Sequence, residues 1–320
     1  MRLLLHIAAR MGMALLTMLS VSLIVFVAMR MLPGGFEMII LGPIQTEEAR
    51  AVITEQFGLD RSLPEQFLSW LVAVLHGDFG ISMITRIPIA DEILRRLGAT
   101  VQLTAMAVIT ALCVGLPLGV AAGLADSSTS VRTCGRLVGA LGASTPDFVL
   151  GVALVYIFSV WSLGLTVGGY VPFFEDPLAN LRAMILPAST LSVFGIALIL
   201  RTTRESVLTV MTEGYITGAV ARGDDPASIV RRHVLRNASL PVMTVATIYL
   251  SLLLGGAVIV EILFTVPGVG LYTWNALLNR DYGVTQSAVL LFSGVIVTCN
   301  MLVDIAYALV DPRIRGRRQQ

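Results

Sequence analysis

The 320-residue chain contains no lysine, and all 22 of its basic residues are arginine. A Walker-A phosphate loop needs a lysine that reaches the β- and γ-phosphates of its nucleotide, so the chain does not supply that type of ATP site. It also lacks the H-E-x-x-H zinc motif and the G-x-S-x-G nucleophile motif. Its three histidines, His6, His76 and His233, lie far apart. We therefore expect no catalytic residue, no metal site and no cofactor bound by this chain.

Charge is scarce as well: 13% of the residues are charged, against about a quarter in a typical soluble domain, and the mean hydropathy is +0.83. These values exclude an ordinary soluble domain. A membrane span needs about 20 mostly apolar residues. Six charge-free windows are long enough, at residues 11–29, 97–125, 148–174, 183–200, 237–260 and 282–303. A seventh window, 262–279, contains Pro267 and Gly268. We interpret it as an interfacial loop or short helix, with seven spans as the alternative.

The distribution of the arginines predicts the orientation. Six spans with a cytoplasmic N-terminus leave only Arg182 and Arg280 in the short outer loops. Fourteen arginines then lie on the cytoplasmic side: Arg2, Arg10, Arg132, Arg136, Arg201, Arg204, Arg222, Arg231, Arg232, Arg236, Arg313, Arg315, Arg317 and Arg318. Because short cytoplasmic loops carry an excess of basic residues, we expect both termini in the cytoplasm and residues 33–96 outside.

The long outer segment carries helix signals of its own. Ser62 and Glu65 have the spacing of a capping box. Apolar residues then recur at helical spacing, and Gly77 can end the helix; they are Phe67, Trp70, Leu71 and Val74. A second run opens at Thr46 and ends at Gly58. The pattern predicts a small helical subdomain whose apolar stripe packs on the spans, with a surface for a partner protein as the alternative.

A polar passage interrupts the apolar chain at residues 215–241, YITGAVARGDDPASIVRRHVLRNASLP. We expect the fourth span to continue as a polar helix to about Arg222, and Gly223 to take the left-handed conformation after it. Asp225 followed by Pro226 is typical of a helix start, so a second helix is predicted from Pro226 to about Asn237. Its apolar face consists of Ile229, Val230, His233 and Val234. That face has no obvious place to pack within this chain, which favours another protein beneath it over a solvated loop.

This passage and four further blocks resemble one family of membrane proteins. Residues 219–223, with His233 and then residues 236–241, resemble the cytoplasmic EAA loop of ABC-importer permeases. Residues 25–34, 57–80, 261–282 and 300–315 resemble, in that order, the end of the first span, the outer loop, the exit of the fifth span and the C-terminus of the dipeptide/oligopeptide/nickel branch. The resemblance covers nearly the whole chain and looks most like the first type of permease subunit.

The resemblance implies an all-α integral membrane protein with six transmembrane helices and the type I ABC-importer permease fold. Such a chain forms half of a translocation pathway in the bacterial plasma membrane, surrounded by lipid. The implied partners are a second homologous permease chain, two cytoplasmic ATPase domains that bind ATP and magnesium, and an extracytoplasmic substrate-binding protein; nucleic acid is not among them. The implied layout is 1–32 (N-terminus and first span), 33–96 (outer subdomain), 97–200 (spans two to four), 201–240 (coupling loop), 241–310 (spans five and six) and 311–320 (tail).

The resemblance also implies roles for individual residues. Coupling to the ATPase is carried over onto Ala219, Ala221, Gly223, Asp224, Asp225, Ile229, Val230, His233 and Arg236. Gating or contact with the binding protein is carried over onto Phe67, Trp70, Asp78, Glu261 and Asp281.

Three positions depart from the family pattern. Thr217 replaces the usual glutamate, Asp224 a common leucine, and residues 33–36 the usual proline-glycine-aspartate-proline. The charge of Asp224 predicts a basic residue on the partner.

Glu261 and Asp304 lie near the ends of the fifth and sixth spans; we expect structural pairing or solvation there, with a substrate or gating role as the alternative.

The favoured function is therefore the permease subunit of an ATP-driven, binding-protein-dependent importer of short peptides or related solutes. Nickel chelates, glutathione or haem are other cargoes that such families carry. A secondary transporter driven by an ion gradient is a different class; it favours inverted repeats with broken helices at the midplane, which the sequence does not display clearly, and it leaves residues 215–241 unexplained. A membrane scaffold or receptor without transport is the third possibility, and it predicts no substrate flux and no ATPase stimulation.

The orientation can be tested by cysteine labelling in sealed cells. A membrane-impermeant reagent added from outside should modify a cysteine at position 60 and should not modify one at position 225 or 318, because of the arginine distribution. Labelling at position 225 would reverse the predicted topology.

Overall fold

The computed structural model describes residues 2–31, 41, 46–125, 130–161 and 164–310, and these residues are almost entirely helical. The helices that it describes are α1 (Arg2–Met31), α2 (Glu47–Gln56), α3 (Leu63–Leu75), α4 (Ile89–Leu124), α5 (Ser130–Ser144), α6 (Asp147–Trp161), α7 (Pro177–Met211), α8 (Gly214–Ala221), α9 (Pro226–Ile229), α10 (Leu235–Phe264), α11 (Val269–Leu278) and α12 (Tyr282–Val310). A π-helical turn, Val230–Val234, lies between α9 and α10.

Four of these helices contain stretches long and apolar enough to cross a membrane singly: Met11–Met31, Ile89–Leu124, Pro177–Met211 and Tyr282–Met301. Two further candidates are bent pairs, Thr133–Ser144 with Asp147–Trp161 at 96°, and Pro241–Leu253 with Gly255–Phe264 at 51°. With each bent pair counted as one span, the described residues hold six. The seventh window forms the end of α10 and the ten-residue α11, which at about 1.5 Å per residue is too short to cross.

The third span differs from the sequence-based prediction of 148–174. Its helix ends at Trp161, and residues 164–176 lie outside the helices. The remainder of the bent pair is α5, a segment that the prediction left in a loop. Pro146, which has no backbone N–H to continue a helix, separates α5 from α6. The predicted start of the third span is wrong because the charge-free window begins only after Asp147.

The chain divides into two compact units, residues 1–98 with 267–297 and residues 99–266 with 298–320. In the second unit α7 and α10 supply much of the core. Met184, Leu191 and Ile199 of α7 and Tyr249 of α10 are at most 1% exposed. The Tyr249 hydroxyl donates a hydrogen bond to the Leu191 carbonyl oxygen over 3.0 Å, so the aromatic ring is fixed against α7.

Three glycines let α4 approach α7 closely in this unit. Gly115, Gly119 and Gly123 are spaced four residues apart and therefore share one helix face. A Cβ atom on Gly119 would lie 2.6 Å from the Thr203 Cβ and 2.8 Å from the Leu200 carbonyl oxygen. Neither distance is compatible with a side chain at residue 119. Small residues at four-residue spacing are typical of closely packed membrane helices.

In the first unit the predicted outer helices are present. The Ser62 N–H donates to Glu65 Oε2 over 3.1 Å, which confirms the capping box at the start of α3. Gly77, just beyond α3, has φ +83°, the left-handed conformation predicted for a helix end. Phe67 of α3 packs edge-on against Phe26 of α1, with ring centroids 5.2 Å apart. At Phe67 the apolar stripe therefore packs on the first span, as predicted.

A matched pair of alanine substitutions tests the packing of α4. We expect Gly119→Ala to lower the melting temperature of the purified protein by roughly 3–8 °C, because overpacking costs about 1–3 kcal/mol. Gly98→Ala on the same helix adds a Cβ with nothing within 4 Å, so it should be neutral or slightly stabilising. Equal melting temperatures for the two variants would contradict the close approach of α4 and α7.

Candidate functional site

The polar passage folds into a joint made of α8, α9 and the π-helical turn. The predicted continuation of the fourth span to Arg222 is wrong, because α7 ends at Met211 and α8 begins at Gly214. Glu213 between them has the extended conformation, with ψ 140°. After α8, Gly223 takes φ +81°, as predicted. The Asp224 N–H then donates to the Ala219 carbonyl oxygen over 3.1 Å, which closes the end of α8.

Asp225 starts the next helix. Its Oδ2 accepts a hydrogen bond from the Ser228 N–H at 3.1 Å, which confirms the predicted cap. The predicted end at Asn237 is wrong, because α9 passes through the π-helical turn directly into α10, which ends at Phe264. Pro241 is accommodated inside α10 rather than marking a new start. One helical path therefore connects the tip of the joint to the fifth span.

The apolar face of the joint packs within the chain, contrary to the prediction that it has no place to pack. Ile229 is 6% exposed and Val234 is fully buried. Both belong to one cluster of buried side chains, whose other members are Val207, Val210, Ile216 and Ala219. The sequence pattern identified an apolar face correctly, but tertiary packing against α7 and α8 decides what covers it.

The nine predicted coupling residues therefore fall into three groups. Ala219 and Ile229 are buried, and Val230 and His233 are half-buried. The exposed group is Ala221, Gly223, Asp224, Asp225 and Arg236. Val220, which is not among the nine predicted coupling residues, is 61% exposed. The exposed tip of the joint consists of residues 220–225 and Ala227.

Asp224 is predicted to meet a basic residue of a partner protein, but it already lies beside an arginine of its own chain. Arg222 Nη2 lies 3.1 Å from Asp224 Oδ2. Both side chains are largely exposed, and pairs of this kind contribute little to stability. The pair still keeps the charge of Asp224 partly neutralised at the tip.

The outer candidates have structural partners. Asp281 is 2% exposed and accepts a hydrogen bond from Ser82 Oγ over 2.6 Å. Asp78 Oδ1 accepts from the Gly80 N–H over 2.8 Å and so shapes a turn. Phe67 lies between Phe26 and Trp70, whose ring centroid is 6.0 Å away. None of these contacts requires a partner chain.

A buried charged group in the first unit escaped the sequence analysis. Arg96 Nη2 lies 2.6 Å from Glu92 Oε1, and the Arg96 guanidinium carbon lies 4.8 Å from the centre of the Tyr272 ring. Burial, followed by the negative charges of Asp281 and Glu92, raises the pKa of Tyr272 to about 12, so its hydroxyl stays protonated at physiological pH. The i, i+4 spacing of Glu92 and Arg96 is a signal that could have revealed the ion pair.

Glu261 is completely buried in the last turn of α10, and Thr100 Oγ1 donates to its Oε1 over 2.7 Å. The geometry fits structural pairing of this carboxylate rather than solvation, and its alternative role in gating or substrate contact stays a prediction. Asp304 lies in the part of α12 whose side chains the structure does not describe.

Two models of one family of transport proteins together match nearly the whole chain. Residues 3–104 match the N-terminal model of binding-protein-dependent transport system membrane components, and residues 115–316 match the model of the inner membrane component of these systems. The chain belongs to this permease family. It is thus a transmembrane permease subunit of an ABC transporter and not itself an enzyme, and ATP and magnesium are used by its ATPase partner.

Curated relatives are similar over almost their full length. The probable peptide ABC transporter permease protein y4tP of Sinorhizobium fredii is 38% identical over 97% of this chain and 99% of that protein. The dipeptide transport system permease protein DppB of Escherichia coli K12 is 37% identical over 98% of this chain and 99% of that protein. A putative peptide transport system permease of Brucella abortus is 38% identical over 97% of this chain.

Solved structures show the same fold at low sequence identity. A chain of the inward-facing MetNI methionine ABC transporter aligns with a TM-score of 0.58 and 20% identity, over 70% of this chain and 98% of that chain. A chain of an amino acid ABC transporter aligns with a TM-score of 0.53 and 14% identity, over 68% of this chain and 92% of that chain. The predicted type I ABC-importer permease fold is therefore confirmed, and the chain is a multi-pass membrane protein.

The hydrogen bond by which Asp225 caps α9 allows a local test of the joint. Asp225→Ala removes the acceptor for the Ser228 N–H and should cost about 1 kcal/mol, which raises amide hydrogen exchange at residues 227–229 about fivefold. Asp224→Ala removes a neighbouring carboxylate that caps nothing and should leave this exchange unchanged. A similar increase in both variants would mean that the negative charge of the tip, rather than the cap, holds α9.

Proposed function

We propose that this chain forms half of the pathway of an ATP-driven importer of short peptides, and that the joint transmits the motion of the ATPase to the fifth span. The observation that carries the proposal is the continuity of α9, the π-helical turn and α10. A displacement applied to the exposed tip is passed along a helical backbone rather than absorbed by a loop.

The buried cluster of the joint supports this role. Ile229 and Val234 are held among Val207 and Val210 of α7 and Ile216 of α8. Burying one such side chain contributes about 1.5–3 kcal/mol, so separating the joint from α7 is costly. A force on the tip therefore acts on the fourth and fifth spans together.

The exposed tip is suited to contact with another protein. Val220 is 61% exposed, and beside it lie Ala221, which has a small side chain, and Gly223, which has none. The charges of Arg222 and Asp224 flank this small apolar patch. We place the ATPase contact here, on the predicted coupling residues that are exposed, Ala221, Gly223, Asp224, Asp225 and Arg236. Ala219 and Ile229 support the tip from below.

Short peptides are the proposed cargo because curated relatives at 37–38% identity carry peptide or dipeptide transport in their names.

The proposed assembly adds a second homologous permease chain, two cytoplasmic ATPase domains and an extracytoplasmic binding protein. The proposed location is the bacterial plasma membrane with both termini cytoplasmic. It is supported by the arginine distribution and by the bacterial source of these relatives. The outer subdomain, 33–96, is the proposed contact for the binding protein.

The turn at Gly223 allows the coupling role to be tested without disturbing packing. A Cβ at this position would meet nothing within 4 Å in this chain, so a substitution leaves the packing of the joint intact and changes the joint itself only through φ, which is +81°. A β-branched residue in this conformation is strained by about 1–3 kcal/mol, whereas asparagine tolerates it. We expect Gly223→Val to lower peptide uptake about tenfold or more and to abolish the response of the ATPase to the loaded binding protein.

The matched control is Gly223→Asn, which should retain most of the uptake and the stimulated ATPase activity. Both variants are compared with the unmodified chain in proteoliposomes that contain the complete transporter at equal permease levels. Unimpaired coupling in the valine variant would show that the conformation of this turn plays no part in coupling and would contradict the proposed role of the joint.

A further inference from the structure

The geometry points to Asp147 as a substrate-binding residue in the middle of the membrane, where its carboxylate binds the positively charged ammonium group of a peptide in transit. This inference rests on the proposed function, since it takes peptides as the cargo. Asp147 is not among the residues that the family resemblance singled out, and the sequence windows placed it just outside the third span.

Asp147 lies where the third span is broken. It is the first residue of α6 and follows Pro146, across a 96° bend from α5. Its side chain is half-buried. A carboxylate in such a position is not part of a regular apolar helix face, and ionisable residues inside spans typically mark substrate or ion pathways.

The depth of Asp147 follows from its neighbour on α7. Asp147 Oδ2 lies 3.4 Å from the point where a Cβ of Gly256 would be, and Leu191 Cδ2 lies 3.6 Å from the same point. Leu191 stands nine residues after Arg182 and ten before Arg201 on the same helix. These two arginines are about 29 Å apart along the helix axis, close to the thickness of the hydrocarbon core. Leu191, and Asp147 with it, is therefore near the midplane.

A bend in the fifth span meets Asp147 at this depth. The fifth-span pair bends by 51° between Leu253 and Gly255, and Gly256 follows directly. Because Gly256 has no side chain, the Asp147 carboxylate can approach the α10 backbone. The break in the third span and the bend in the fifth span thus come together at one acidic side chain. Irregular backbone, such as that of the third span, is tolerated at membrane depth where it is buried in protein or lines a water-filled cavity.

The carboxylate lacks a compensating partner among the described residues, where it makes neither an ion pair nor a side-chain hydrogen bond. The Tyr249 hydroxyl does not supply this partner, because its single proton is donated to the Leu191 carbonyl oxygen. An ionised carboxylate without a partner is costly in an apolar environment. A cation that enters the pathway would supply the missing charge, and every peptide with a free N-terminus carries one.

A single half-buried carboxylate is suited to a peptide that passes through the pathway rather than to one that is tightly retained. A pathway site must bind strongly enough for entry and weakly enough for release. A lone, half-buried carboxylate gives an ammonium group one ion pair without enclosing it. The site therefore favours passage of cationic groups without trapping the peptide.

Accessibility is the first test. In the complete transporter, with Cys113, Cys134 and Cys299 replaced by serine, a small cationic methanethiosulfonate should modify Asp147→Cys in at least one nucleotide state. The adjacent Phe148→Cys is the control: Phe148 is 51% exposed, and we expect it to face lipid and to stay unmodified. A cysteine at position 147 that reacts in no state would overturn the proposal, whether lipid, a second permease or a partner's arginine covers it.

Transport is the second test, measured in proteoliposomes at saturating loaded binding protein. Asp147→Asn should lower peptide uptake about tenfold, equivalent to about 1.4 kcal/mol, while ATPase stimulation by the loaded binding protein persists. Asp147→Glu should restore most of the uptake, because it returns the charge. The control Glu175→Gln, an exposed carboxylate in the segment before α7, should transport normally.

The outcomes separate this inference from the proposed function. Wild-type uptake by Asp147→Asn would overturn the role of Asp147 and leave the importer intact. Loss of ATPase stimulation in both the asparagine and glutamate variants would indicate a structural role and would also overturn it. If the unmodified complex imports no peptide, the cargo and the ammonium assignment both fail, while labelling at position 147 would still place that residue in a pathway.

Discussion

The packing of Ile229 and Val234 against α7 and α8 is the interaction on which the functional part of the fold depends. It fixes a polar tip to the end of the fourth span, while the helical path through Val230–Val234 links the same tip to the fifth span. Without the cluster, α8 and α9 would be two short helices with little reason to hold one orientation, since isolated helices of this length are marginal in water. With it, the exposed residues 220–225 form a defined surface.

The bilayer imposes the second constraint. Backbone N–H and C=O groups in hydrocarbon must be satisfied within the segment, so interruptions of membrane helices need a local reason. Among the residues that the structure describes, the third span is broken after Ser144 and the fifth span bends by 51° before Gly255, and the two irregularities meet at Asp147 and Gly256. Elsewhere the spans of the second unit pack through glycine faces, as where Gly119 lies against Thr203 and Leu200. The regular packing holds the scaffold, and the irregular positions are available for function.

Local signals in the sequence predicted local structure well. Gly223, the Asp225 cap and the capping box of Ser62 and Glu65 all have the predicted geometry, because each depends on residues within a few positions. Features that depend on distant residues were missed. The partner of Ile229 is Val207 and its neighbours, and the packing of Gly119 depends on Thr203; a single sequence records neither contact. The start of the third span was misplaced because Asp147 was treated as a boundary rather than as part of a span.

The central claim is that the joint and the following part of α10 move as one body. Spin labels at Ala227, on the exposed tip, and at Ile248, which is 51% exposed on α10, measure this directly in the assembled transporter. A pulsed electron paramagnetic resonance experiment compares their distance in the nucleotide-free and ATP-trapped states. The account predicts one narrow distance distribution that is the same in both states. A distribution that broadens or shifts on ATP binding would contradict it, because the tip would then move independently of the fifth span.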